Sequence, residues 1–152
     1  MSPKVFLRLP FGIAMAVAVG CGGNSSDPKA PDLVPVTGQV MLDGKPGTGI
    51  AVSFLPKDST IGQGAYCVSD GSGSFQCAYP DGKPGCPAGT YKVIFSKLAL
   101  PDGSPIPDGK TAADSGARDM IPMRYRALDT IENVVTVQSM GKNEFKFEIM
   151  TQ

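Results

Sequence analysis

The sequence predicts an all-β protein, an antiparallel β-sandwich of about seven strands with one long loop excursion. Apolar and polar side chains alternate with a period of two from Val36 onward, as they do in a strand that buries one face. The alternating segments are short, and 19 glycines and 14 prolines punctuate the chain and supply its tight turns. A series of short strands and turns of this kind is typical of a sandwich.

Four strands are predicted before residue 80. In each of them apolar and polar side chains alternate, and the segment ends near an Asp, Gly or Pro. The four segments are Val36–Leu42, Ile50–Phe54, Tyr66–Ser69 and Ser74–Tyr79. The last two flank Asp70-Gly71-Ser72-Gly73, a sequence that favours a hairpin turn. Gly73 is expected to supply the positive φ angle that this turn demands, and Gly44 is expected to do the same in the turn that follows Val36–Leu42.

Three further strands are predicted downstream, namely Thr90–Ser96, a segment holding Val135 and Val137, and Phe145–Ile149. The last is the clearest, because two phenylalanines and an isoleucine alternate with glutamate and lysine. Between residues 97 and 122 the alternation disappears, apart from a weak helical turn within 112–118. We interpret 97–122 as a flexible excursion at one end of the sandwich.

The first twenty residues are typical of an export signal. Lys4 and Arg8 precede an apolar run over 11–19, which is too short to span a bilayer. Small residues then lead into Cys21, and this junction resembles a bacterial lipobox, although Ala18 stands where a larger aliphatic residue is usual. We predict a lipoprotein signal peptide (1–20) and lipid attachment at Cys21, hence an exported, membrane-anchored protein of the periplasm or outer surface.

The predicted domain organisation follows from composition. Residues 21–33 are rich in Gly, Ser, Asn, Asp and Pro and are expected to form a flexible tether, which leaves residues 34–152 as one β-sandwich domain. The charge is balanced at 14 basic and 14 acidic residues, and no basic stripe is interleaved with aromatics. This pattern argues against a nucleic-acid partner.

The domain contains three disulfide candidates, Cys67, Cys77 and Cys86. Export would place them where disulfides persist, and an odd count permits one bridge and one free thiol. A three-residue hairpin loop would set Cys67 opposite Cys77, whereas Cys77–Cys86 would close the following turn-rich loop. We favour Cys77–Cys86, because Cys86 is expected in an adaptable loop and cross-strand bridges are often strained.

Catalytic and metal chemistry are not expected. The chain has no histidine and no Cys-x-x-Cys, which removes Ser-His-Asp triads and the usual zinc ligand sets, and it lacks the nucleophile-elbow and phosphate-loop glycine patterns. Asp70, Ser72 and Ser74 echo the first half of a calcium loop, but a hairpin turn explains the same residues. We predict a non-catalytic protein with no cofactor and no metal.

Several motifs resemble a known family. Val36-Thr37-Gly38-Gln39-Val40 with Gly44 and Pro46, Ser69-Asp70 through Phe75, and Pro87-Ala88-Gly89-Thr90-Tyr91-Lys92-Val93 are similar to carboxypeptidase regulatory-like (transthyretin-like) domains. Ile121–Tyr125 and Gly141–Phe147 resemble segments of small planctomycete-type bacterial lipoproteins. The resemblance implies a prealbumin-like sandwich that acts as a non-catalytic accessory or surface module.

Arg124, Tyr125 and Arg126 form the cluster most suited to recognition, since arginine forks and tyrosine rings are enriched at interfaces. The simpler interpretation is that Tyr125 packs over the end of the sandwich and that both arginines are solvated. For the whole protein we predict a structural or protein-interaction role, with an envelope protein as a possible partner. The alternative is a small-ligand or glycan-binding surface module. The absence of tryptophan and the presence of only four tyrosines favour the first. An exposed apolar patch beside Tyr125 would support a protein partner, and a concave polar pocket would support a ligand.

Overall fold

The computed structural model describes residues 31–129 and 133–152, and the described chain is nearly all β. The predicted export signal and Cys21 lie outside these residues. The strands are β1 (Leu33–Val34), β2 (Val36–Leu42), β3 (Lys45–Pro46), β4 (Ala51–Pro56), β5 (Ala65–Val68), β6 (Ser74–Gln76), β7 (Cys86–Pro87), β8 (Gly89–Ser96), β9 (Leu98–Ala99), β10 (Arg118–Asp119), β11 (Val134–Val137) and β12 (Asn143–Ile149). A short helix α1 (Ala112–Ser115) and a 3-10 helix (Met123–Tyr125) complete the elements.

Two four-stranded sheets form the sandwich. One has the order β11-β8-β4-β5, and in the other β2 pairs with β12, β3 and β6. Each of the seven predicted strand segments overlaps one observed strand, namely β2, β4, β5, β6, β8, β11 or β12, so the predicted all-β sandwich is confirmed. The β5–β6 hairpin joins the two sheets along one side, through mutual backbone hydrogen bonds of Tyr66 and Ala78 at 3.0 and 2.9 Å.

One strand pair departs from the antiparallel expectation. β12 runs parallel to β2, with Asn143 beside Val36 and Ile149 beside Leu42. The reason is the connection before it, because the chain crosses from β11 in one sheet to β12 in the other at the end where β2 begins. Both strands therefore start at the same end of the sandwich.

The core lies between the sheets and is built mainly from apolar side chains of the alternating strands, with Cys86 and Ile121 in addition. Its centre is Phe54, which is 1% exposed and packs against the rings of Phe75, Tyr91, Phe145 and Phe147 at centroid distances of 6.0–6.5 Å. Tilted and edge-on contacts of this kind add to the burial of apolar area. The alternation in sequence thus identifies the buried face of each long strand.

The sandwich has two distinct ends. We call the end where β2 begins at Val36 the tether end, because Pro31 and β1 reach the fold there and β1 pairs with β7. We call the end where β2 finishes at Leu42 the far end. The excursion after β8 leaves from the far end, since Ser96 pairs with Ala51 there and Gly89 lies at the tether end beside Val137.

The excursion is anchored to the sandwich at its two ends. Asp119 fixes it to the sandwich: its Oδ1 accepts the backbone N–H groups of Lys97 (3.0 Å) and Ile121 (2.9 Å), and its Oδ2 accepts the Ser96 hydroxyl (2.7 Å). β9 pairs with β10, and Ile121 is buried in the core. The predicted helical turn is present as α1, capped by the Thr111 hydroxyl.

The two turn glycines give a matched pair of substitutions. Gly44 and Gly73 have φ angles of 76° and 77°, but a Cβ at Gly44 meets nothing within 4 Å, whereas one at Gly73 lies 2.5 Å from the Val40 carbonyl oxygen. We expect Gly44→Ala to lower the free energy of unfolding by roughly 1–2 kcal/mol through backbone strain alone. Gly73→Ala should cost roughly 1–3 kcal/mol more, because the added methyl group is overpacked.

Urea denaturation of both variants against the unmodified protein measures this difference. Equal losses at the two positions would show that the close approach of Gly73 to β2 does not constrain the hairpin.

Candidate functional site

The far end carries the predicted interaction residues Arg124 and Tyr125, which lie on the 3-10 helix. The Arg124 guanidinium lies over the Tyr125 ring, 5.0 Å from its centroid, and donates to the backbone carbonyls of Met150 and Gln152. The Tyr125 hydroxyl accepts the Met150 N–H at 3.2 Å. This hydrogen bond and the neighbouring Arg124 lower the pKa of Tyr125.

Asp43, which directly follows β2, completes this cluster and was not among the predicted site residues. Its carboxylate accepts the Thr151 backbone N–H at 2.8 Å and the Thr151 hydroxyl at 2.6 Å. These two bonds lower the pKa of Asp43, so the carboxylate stays charged at neutral pH. The partners are 108 residues apart in the chain, and no local sequence pattern announces such a pair.

The structure separates Arg126 from its two neighbours. Its Nη1 lies 3.6 Å from Asp119 Oδ2, so the guanidinium supports the carboxylate that fixes the excursion. Arg124 and Tyr125 thus act together on the segment after β12, while Arg126 holds the base of the excursion. Their role in recognition stays a prediction.

Exposed methionines flank this cluster. Met123, on the same 3-10 helix, is 62% exposed, and Met150, whose backbone contacts both Arg124 and Tyr125, is 48% exposed. Flexible, polarizable methionine side chains beside a rigid aromatic ring are suited to contact with an apolar surface. We call Met123, Arg124, Tyr125 and Met150 the far-end patch.

The three thiols lie in the core and are free in the structure. Cys67 on β5 faces Cys77, which follows β6, and their sulfur atoms are 2.9 Å apart. The adjacent Tyr66–Ala78 pair exchanges both backbone hydrogen bonds, so Cys67 and Cys77 occupy a non-hydrogen-bonded position, where side chains approach most closely.

The preference for Cys77–Cys86 rested on a premise that the structure corrects. Cys86 is fully buried and belongs to β7, which pairs with β1, so it does not lie in an adaptable loop. Burial raises the pKa of Cys86 to about 11. The contact with Cys67, together with burial, raises the pKa of Cys77. Both thiols are therefore protonated and unreactive at neutral pH while the domain is folded.

The residues that echo a calcium loop form a hairpin turn. Asp70 Oδ1 accepts the backbone N–H groups of Ser72 (2.8 Å) and Ser74 (3.0 Å) and the Ser72 hydroxyl (2.7 Å). These hydrogen bonds lower the pKa of Asp70. Over 31–129 and 133–152, no group of three or more acidic, cysteine or histidine residues is arranged to hold a metal ion.

A shallow depression of about 750 Å³ lies on the outer face of β6, β2 and β12. Its walls are mainly polar and include Thr37, Gln39, Gln76, Glu144 and Lys146. Amide, hydroxyl and charged groups on a flat sheet offer hydrogen bonds to a polar ligand, but they offer little apolar surface.

The described part of the chain has no helix long and apolar enough to cross a membrane.

Comparisons with known proteins leave the family open. No family model matches the chain, and no curated protein matches it. Among solved structures, the chain is similar to the crystal structure of a 9R-lipoxygenase from Cyanothece PCC8801, with a TM-score of 0.36 and 16% identity. The match covers 78% of this chain but spans only 16% of the length of that one. A likeness of this size carries no argument about function.

Proposed function

We propose that this protein is a non-catalytic, lipid-anchored domain of the cell envelope, and that it binds an envelope protein through the far-end patch. The observation that carries the proposal is the exposure of Met123 and Met150 next to the Arg124–Tyr125 pair. An apolar surface rimmed by a charge and an aromatic ring has the composition of a protein-binding site.

The position of the patch supports the same conclusion. A lipid on Cys21 would hold the tether end towards the membrane, because Pro31 and β1 join the fold there. The ten residues 21–30 of the predicted tether would reach at most about 36 Å if fully extended. The far-end patch and the excursion would then point away from the lipid surface, towards partners in the envelope.

The internal hydrogen bonds of the patch also favour binding. Arg124 and Tyr125 are fixed by Met150 and Gln152, so they lose little conformational freedom when a partner docks. The motifs shared with carboxypeptidase regulatory-like domains, which the resemblance implies are accessory modules, agree with a binding role.

We further propose that export leads to a disulfide between Cys67 and Cys77, with Cys86 left as a free thiol. The sulfur separation of 2.9 Å supports this pair. Bond formation releases two protons and passes two electrons to an external disulfide oxidant. Because both thiols are buried in the folded domain, the bridge would form while the hairpin is still accessible.

Site-specific photocrosslinking in the producing cells tests the binding proposal. We expect a photoreactive residue at Met123 to give a discrete adduct with one envelope protein. Met140 is the matched control, because it is also an exposed methionine (83%) but lies on the turn at the tether end. Equal adducts from both positions, or adducts from Met140 alone, would contradict a far-end binding site.

The depression on β6, β2 and β12 favours the second candidate, a small-ligand or glycan-binding module. Gln39, Gln76 and Glu144 would provide hydrogen bonds to sugar hydroxyls. Titration with oligosaccharides, followed by amide chemical shifts, tests this candidate. Saturable shifts confined to this face, and lost in Gln39→Ala, would favour it over a protein partner.

A further inference from the structure

The last strand presents a free edge. β12 pairs with β2 on one side, and no described strand pairs with it on the other. The even-numbered residues of β2 bond to β3 and β6, as shown by the hydrogen bonds of Val36 to Cys77 and of Val40 to Gly47 and Gly73. The odd-numbered residues of β2 therefore face β12.

The parallel register then defines which groups are unpaired. An odd residue of β2 bonds to the two residues that flank its partner, so Asn143, Phe145, Phe147 and Ile149 are the residues that bond to β2. The N–H and C=O groups of Glu144, Lys146 and Glu148 point to the free edge. No hydrogen bond found among residues 31–129 and 133–152 uses them. A seven-residue strand without proline or a bulge is thus available for pairing.

The charges along this edge match a second copy of the same edge. Lys142, Glu144, Lys146 and Glu148 all expose their side chains on one face. If two β12 strands pair antiparallel with Phe145 opposite Phe145, then Glu144 of each copy faces Lys146 of the other and Glu148 faces Lys142. Shifting this register by one residue in each strand sets Lys146 against Lys146 and Glu144 against Glu148. The register with Phe147 opposite Phe147 sets only Lys146 against Glu148, twice, whereas the register about Phe145 makes four opposite-charge pairs. Charge therefore favours the register about Phe145.

The core-facing side of β12, opposite its charged side, supports the same pairing. Phe145 is only partly buried in the monomer and packs at the margin of the core. In the antiparallel pair it lies at a non-hydrogen-bonded position on the two-fold axis, where facing side chains are closest. Each Phe145 would therefore cover the other.

We propose that β12 mediates a symmetric dimer, in which two copies join edge to edge about Phe145 and form one continuous sheet. The alternating charges stabilise this register most, because it has four opposite-charge pairs across the interface. The interface is isologous, so it closes at two copies and does not propagate. Antiparallel pairing places the tether end of each copy beside the far end of the other, with Met150 near Met140 of the second copy. The dimer and the orientation that turns the far-end patch away from the membrane are therefore alternative states of the anchored chain.

Sedimentation equilibrium on the full exported chain, kept unacylated by Cys21→Ser, tests the dimer at concentrations up to about 1 mM, where weak association is measurable. Lys146→Glu and Glu144→Lys should each weaken dimerisation on the order of tenfold or more, because like charges then face each other. The Glu144→Lys/Lys146→Glu double variant should dimerise again, and an equal mixture of the two single variants should form a heterodimer.

Lys110→Glu is the matched control, since it makes the same charge change at an exposed residue of the excursion. The substituted side chains are exposed, so circular dichroism should show an unchanged fold. A protein that remains monomeric at the highest concentration overturns the proposal. So does a dimer that Lys146→Glu leaves intact, because it must use another surface.

Discussion

Replacing Phe54 with alanine is expected to lower the free energy of unfolding by about 3–5 kcal/mol. The Phe54 ring is 1% exposed and contacts four other aromatic rings, from both sheets of the sandwich. Its removal leaves a cavity at the point where the sheets meet, and neighbours held in strands have little freedom to collapse into it. Urea denaturation followed by circular dichroism measures the loss.

Tyr66→Ala is the matched control for Phe54→Ala. Tyr66 lies on β5, which pairs with β4, but its side chain is 54% exposed on the outer face. We expect its substitution to cost less than about 1 kcal/mol. A loss at Phe54 no larger than the loss at Tyr66 would mean that Phe54 does not join the two sheets.

Oxidation of the exported protein is expected to stabilise it by roughly 2–3 kcal/mol, because a Cys67–Cys77 bridge closes a loop of about ten residues in the unfolded chain. Comparing the same protein with and without a reducing agent keeps the packing of the core unchanged. For a domain of this size the expected shift of Tm is on the order of 10 °C.

Two alanine variants identify the bridge. In Cys67→Ala the reducing agent should have no effect on Tm, whereas in Cys86→Ala the effect should persist, since Cys86 keeps a free thiol in the proposed arrangement. The opposite pattern would return the bridge to Cys77–Cys86. If reduction leaves the Tm of the unmodified protein unchanged, no bridge is present.

The sequence predicts the sandwich well because strand alternation is a local property. Phe145, Phe147 and Ile149 face the core, as their spacing indicates, and Gly73 adopts the positive φ that its turn requires. The parallel pairing of β12 with β2 was not predictable in this way. It depends on the end of the sandwich at which a connection crosses between sheets, and alternation carries no information on strand direction.

The candidate site was predicted in part. The Arg124–Tyr125 pair was singled out by residue type, but its contacts with Met150 and the bond of Asp43 to Thr151 join distant parts of the chain. The burial of Cys86 was missed for a related reason. Its turn-rich neighbourhood suggested a loop, whereas its pairing with β1 is set by where the tether enters the fold.

The intact mass of the protein purified from the membrane fraction, with and without reduction, tests the central claim most directly. A lipid-anchored domain with one bridge predicts a chain that begins at Cys21, carries acyl mass and gains two hydrogens on reduction. A soluble product without acyl mass would contradict the anchor, and with it the orientation that turns the far-end patch away from the membrane.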